Sequence, residues 1–226
     1  METILSRLKY YGIGFGIGLF FLFFFFENRG CSWLPANRVK NSILERLLVV
    51  SDETYSILQT QGLSAEDIIQ VLNDGEVNFA ASDKESEPKI YIVEKDKRKY
   101  AFTLPKESFI SEVFVRVKDT RLQKTEQGSG RIIHFPMDDN IVFSDTNSRL
   151  KCQQLFLGLE NDKAILELLK ESGKMDFGKS NLGKLPKPEH YLTFEKDGEE
   201  IGVRVIWYKN KLNITSFESE SIIDCE

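Results

Sequence analysis

Ser64-Ala65-Glu66-Asp67-Ile68-Ile69-Gln70-Val71-Leu72-Asn73-Asp74-Gly75 carries the plainest structural instruction in the chain. Ser64 is a helix N-cap, and Glu66 and Asp67 place negative charge where a first helical turn favours it. Ile68, Ile69, Val71 and Leu72 recur at helical spacing and form one apolar face. Asn73-Asp74-Gly75 then stops the helix. Alternating apolar stretches follow at Val77–Phe79, Ile90–Glu94, Tyr100–Leu104 and about Ile110–Val117, so strands are expected. Lys95-Asp96-Lys97-Arg98 reads as a charged hairpin turn between two of them.

The same order returns a hundred residues later. Ile68-Ile69-Gln70-Val71-Leu72 matches Ile165-Leu166-Glu167-Leu168-Leu169, and Val77-Asn78-Phe79 matches Met175-Asp176-Phe177. Ser82 then pairs with Ser180, Pro88 with Pro188, and Tyr91 with Tyr191. Glu94-Lys95-Asp96 pairs with Glu195-Lys196-Asp197, and Phe109-Ile110-Ser111 with Asn213-Ile214-Thr215. The sequence therefore predicts an internal duplication of a helix-plus-antiparallel-sheet unit. The first unit is placed at 63–117 and the second at 151–226, with a bridging segment of strands and loop at 118–150. That bridge holds strand-like runs at Arg131–Phe135 and Ile141–Phe143.

N-terminal to the repeats, Tyr10 to Phe26 carries no charge and ends almost wholly in Phe and Leu. About 17 residues at ~1.5 Å each reach ~26 Å, near the thinnest hydrocarbon core a helix crosses. The expected fold is thus α+β: a short tail (1–9), one transmembrane helix (10–26), a juxtamembrane helical connector (27–62) and the two units. In that connector one short helix is expected through Ile43, Leu44, Leu47 and Leu48, and another from Ser51 to Thr60. Gly12/Gly16 and Gly14/Gly18 have the spacing that admits a second helix, so these four glycines are the candidate helix-packing residues. The flanking cations nearly balance, which leaves orientation open by charge. A short basic tail before a large body predicts an inner-membrane protein with its body on the periplasmic side.

Leu63–Val77, taken with the strands after it, resembles the bacterial family called domain of unknown function 4258. The run Cys31-Ser32-Trp33-Leu34-Pro35-Ala36-Asn37-Arg38-Val39-Lys40-Asn41 is similar to single-span Bacteroidota proteins of flavobacterial type. The resemblance covers roughly the first half of the chain. It implies a small α+β fold shared with barnase-like and colicin-like nucleases, and no established activity.

Chemistry is sparse. A barnase-like ribonuclease needs a general base, a general acid and cations on the phosphate. The two histidines, His134 and His190, fall in different parts of the duplication, and the first unit has none. There is no phosphate loop, dinucleotide glycine pattern or nucleophile elbow. Catalytic, metal-ligating and cofactor-binding residues are therefore all expected to be absent. A net charge of −5 disfavours nucleic acid as a partner. Cys31, Cys152 and Cys225 have no metal-ligand spacing and read as unpaired thiols. The sequence points to a non-enzymatic, membrane-anchored accessory subunit of an envelope assembly, with other membrane subunits as partners. Trp207-Tyr208 is its candidate docking pair. The alternative is a membrane-tethered ribonuclease or toxin-like enzyme.

Overall fold

A computed structural model describes residues 2–27, 34–115, 122, 124–136, 142–144, 148–184, 186–209, 211–221 and 225. The chain divides into two compact units, residues 1–41 and 42–226.

The first unit holds helix α1 (Glu2–Glu27) and most of α2 (Pro35–Leu44). The transmembrane helix expected over 10–26 is corrected here: among the described residues no helix is long and apolar enough to cross a membrane. The physical reason lies in α1 itself. Four of its central positions are glycines, which supply no apolar side chain and lower the apolar content of the run. A Cβ added at Gly12, Gly14, Gly16 or Gly18 meets nothing within 4 Å. Cys31 and Trp33 lie outside the described residues.

The second unit repeats one series of elements. The first half runs β1 (Leu47–Ser51), α3 (Asp52–Thr60), α4 (Ala65–Asp74), β2 (Glu76–Asp83), β3 (Lys89–Lys95), β4 (Arg98–Leu104) and β5 (Ile110–Val115). After β6 (Ser129–His134) comes β7 (Val142–Ser144), then α5 (Ser148–Phe156) and α6 (Asp162–Ser172). The second half closes with β8 (Lys174–Asn181), β9 (Glu189–Lys196), β10 (Glu199–Tyr208) and β11 (Lys211–Glu218). The eleven strands among the described residues form one sheet in the order β2-β3-β4-β5-β1-β6-β8-β9-β10-β11-β7. The leading strand of each half pairs in parallel with its last strand, β1 with β5 and β7 with β11. β6 pairs antiparallel with both β1 and β8 and so joins the halves.

Local chemistry explains the repeat. Ser64 and Asp67 form a reciprocal capping box at α4, and Asn161 caps α6 by accepting from the Ala164 amide at 2.9 Å. Gly75 and Gly173 end these helices by donating to Val71 O and Leu169 O. Neither glycine is there for a left-handed turn. A Cβ would sit 2.5 Å from Val71 O at Gly75 and 2.1 Å from Leu169 O at Gly173. Each half then bulges the strand that follows its helices, β2 or β8, by the same device. Ser82 Oγ donates to Asn78 O at 2.6 Å and accepts from the Ile92 amide at 3.0 Å. Ser180 Oγ donates to Asp176 O at 2.6 Å and accepts from the Tyr191 amide at 2.9 Å. Both following hairpins turn on two residues with positive φ, Asp96-Lys97 and Asp197-Gly198, the geometry that suits strand twist. Counted from bulge to turn, the hairpin of the second half is one pleat longer. The bulge therefore aligns Tyr191 with Ile92, and His190 with Tyr91.

Two expectations change. Leu47 and Leu48 belong to β1 rather than to a helix, which ends at Leu44. Cys152 and Cys225 form a disulfide across 73 residues, tying α5 to the C-terminal tail, where unpaired thiols were expected. The main core lies against α6, with Ile165, Leu166 and Leu169 packed on Met175, Leu192, Phe194, Val203 and Ile214. It extends into the first half through Leu47, Val49, Phe109 and Ile110. At roughly 1.5–3 kcal/mol per fully buried aliphatic side chain, this shared core binds the halves more firmly than the strand pairing alone.

Candidate functional site

Because β6 has helices of both halves near it, a groove of about 850 Å³ opens between them. Arg131 to Phe135 of β6 line it on one side. Tyr55, Leu58 and Gln59 of α3, the Gly62–Ser64 turn and Ala65, Glu66 and Ile69 of α4 line another, and Lys170 and Glu171 of α6 complete it. The Arg131 guanidinium lies 4.3 Å from the centre of the Tyr55 ring, a favourable cation–π contact. His134 Nε2 is 3.0 Å from Leu44 O. Burial pushes the His134 imidazole below its ordinary range, and the bond to Leu44 opposes the shift only in part.

A second, smaller cleft of about 300 Å³ lies where β4 and β5 of the first half meet β8 of the second. Its first-half wall includes Thr103, Ser108 and Glu112, and its second-half wall Met175, Phe177, Leu182 and Pro188. Glu112 is 4% exposed. Its carboxylate accepts from the Thr125 amide at 3.0 Å and from the Thr125 hydroxyl, while its own amide donates to Thr103 Oγ1 at 2.8 Å. Desolvation raises the Glu112 carboxyl above its ordinary value, against the pull of the two Thr125 donors.

Between the halves sits a plug made of Ser108 and Phe109. Ser108 Oγ and His190 Nε2 share a hydrogen bond at 2.9 Å, and the Ile110 amide donates to the same hydroxyl at 3.1 Å. Arg46 holds the loop by donating to Ser108 O. The Phe109 ring stands edge-on to His190 at 4.7 Å and stacks on Trp207 at 4.9 Å. His190 is 1% exposed, and its Nδ1 has no partner in hydrogen-bonding geometry.

This seal decides what His190 can do. A Ser–His contact at 2.9 Å has the spacing of a nucleophile and its base. Burial nevertheless pushes the His190 pKa to about 4, and the ring meets no solvent. The depressed pKa becomes a statement about stability. Above the unfolded value of 6.5, both folded and unfolded states hold the ring neutral. As pH falls towards 4, only the unfolded state takes up the proton, so the folded state loses about 3 kcal/mol. Urea unfolding between pH 7 and pH 4 is expected to show that loss, and a folded His190→Phe variant is expected to lose that component.

The residues singled out from the sequence fall in different places. His134 lines the large groove and His190 is sealed in the plug, so the two do not share a cavity. Trp207 is half-buried on Phe109. Tyr208 is 50% exposed with Lys209 Nζ 5.1 Å from its ring centre. Among the described residues no group of three or more His, Cys, Asp or Glu could hold a metal ion. Glu112 and Ser108 went unnoticed at the level of sequence, since a buried carboxylate inside a strand pattern leaves no signature. No protein-family model, curated protein or solved structure matches the chain.

Proposed function

We propose that this chain is a non-enzymatic interaction protein, an accessory subunit whose partner seats in the groove lined by β6. The observation that carries the reading is the groove itself. Its roughly 850 Å³ lies between helices of both halves and mixes apolar walls with Arg131, Glu66, Lys170 and Glu171. That is the composition of a recognition surface with an apolar centre and a charged rim. The Cys152–Cys225 disulfide supports a working compartment that keeps thiols oxidised, as the bacterial envelope does.

The ribonuclease reading retains one observation in its favour: His134, Arg131 and two glutamates share this groove. Against it, the His134 ring is engaged by the Leu44 carbonyl, and the second histidine is elsewhere.

Photocross-linking groups placed at Gln59 and Lys170, on opposite walls, separate the two. In the native host both positions are expected to give the same adduct, and Lys97 on the β3–β4 hairpin is expected to give none. Adducts at Lys97 alone, or none at either wall, would sink the groove reading. Cleavage of a fluorescent RNA by the purified chain, abolished in His134→Ala, would establish the enzyme instead.

A further inference from the structure

The 300 Å³ cleft between β5 and β8 shares no lining residue with the large groove. It is at the lower end of the size range of small-ligand pockets, about 300–1,000 Å³. Its two walls differ in kind. The first half presents the oxygen atoms of Glu112, Thr103 and Ser108 among Pro88, Pro105 and Ile110. The second half presents only apolar surface there, chiefly Met175, Phe177 and Leu182.

Charge adds the second constraint. Five charged residues line the cleft: Glu87, Lys106, Glu107, Glu112 and Lys124. Three carboxylates against two ammonium groups leave a net charge of −1. Four of the five are exposed and screened by solvent, while Glu112 alone is buried. Its acceptor contacts are both with Thr125, which supplies neutral donors. Among the described residues no cation pairs with it. A buried carboxylate without a counter-charge is costly, and a well-placed cation that hydrogen-bonds to it offsets part of the cost.

We infer that the cleft is a binding site for a primary ammonium group carried on a short apolar stem, with Glu112 as its counter-ion and the Met175–Phe177–Leu182 wall receiving the stem. Thr125 holds the Glu112 carboxylate through two hydrogen bonds, and both residues line the cleft. Such a group suits the site because its three N–H donors meet the oxygen wall while its carbon chain meets the other. The inference does not depend on the groove having a partner.

The test uses the full chain with the Met175 methyl as an NMR reporter, assigned by Met175→Leu among three methionines. The probes are phenethylammonium, the neutral phenethyl alcohol and the anionic 3-phenylpropionate. Saturable shifts of the Met175 methyl are expected with the cation, at least about tenfold weaker binding with the alcohol, and none with the anion. Glu112→Gln keeps an acceptor for Thr125 and is expected to lose that tenfold preference. Leu182→Trp narrows the cleft from the apolar side without touching the carboxylate, and is expected to weaken cation binding as well. Equal binding of cation and alcohol, cation binding unchanged in Glu112→Gln or Leu182→Trp, or no saturable shift with any probe would each overturn the inference.

Discussion

Phe109→Ala is expected to lower the free energy of unfolding by about 3–5 kcal/mol, the cost of emptying a buried aromatic site that cannot collapse. The site cannot collapse because rigid groups hold it open. His190 and Trp207 flank the ring at 4.7 and 4.9 Å. The backbone on either side is fixed by the Leu47 amide donating to Phe109 O and by Arg46 donating to Ser108 O. Phe109 is 3% exposed, so nearly all of its surface is lost from contact when it is truncated. Phe109→Leu keeps much of the volume and is expected to cost less than half as much. Urea unfolding monitored by Trp207 fluorescence measures both. Because the ring joins the halves, Phe109→Ala is also expected to reduce the cooperativity of the transition. An effect below 1 kcal/mol, by order of magnitude, would mean the plug is not what couples them.

Reducing the Cys152–Cys225 disulfide is the second large effect. The bridge closes a loop of 73 residues, for which the chain-entropy relation gives about 4 kcal/mol. In a domain of this size each kcal/mol moves the melting temperature by roughly 2–4 °C, so a fall of about 8–16 °C is expected with reductant. Cys152→Ser and Cys225→Ser are each expected to reproduce the fall, and the double variant to add nothing further. Identical melting with and without reductant would remove the support for an oxidising compartment. The bridge holds the tail against α5, whose exposed Leu155 and Phe156 stand nearby in sequence. Its loss is therefore also expected to make the tail the first site of proteolysis.

These features differ in how far the sequence exposes them. The capping box at Ser64, the stops at Gly75 and Gly173, and the serines at 82 and 180 are local, and local chemistry can be read from spacing. β1 is not local. Leu47-Leu48-Val49-Val50 is buried on both faces, so it lacks the alternation that marks a half-exposed strand. Its sheet partners lie at Ile110–Glu112 and at Gly130–His134. The register of Tyr91 against Tyr191 follows letter identity, whereas the bulge aligns His190 with Tyr91, an offset of one residue that letter matching does not register although it reverses side-chain direction. The Ser108–His190 bond spans 82 residues, and no periodicity reports such a contact. The uncharged run from Tyr10 to Phe26 suggested a span, yet four of its positions are glycines and no helix among the described residues is long and apolar enough to cross a membrane. The resemblance to domain of unknown function 4258 rests on the first half alone and remains a proposal about lineage.

β6 has a consequence for how the chain is made. A ribosome releases the first half complete only once β5 has emerged, because β1 needs its parallel partner. At that moment the far side of β1 is an open row of amides and carbonyls, the kind of edge that recruits neighbouring chains. β6 begins 14 residues after β5 ends. At synthesis rates of about 5–20 residues per second, it arrives within roughly 1–3 s and covers that edge. The strand that belongs to neither repeat thus serves as a temporary guard for the nascent first half, and the second half later docks on the guard rather than on β1.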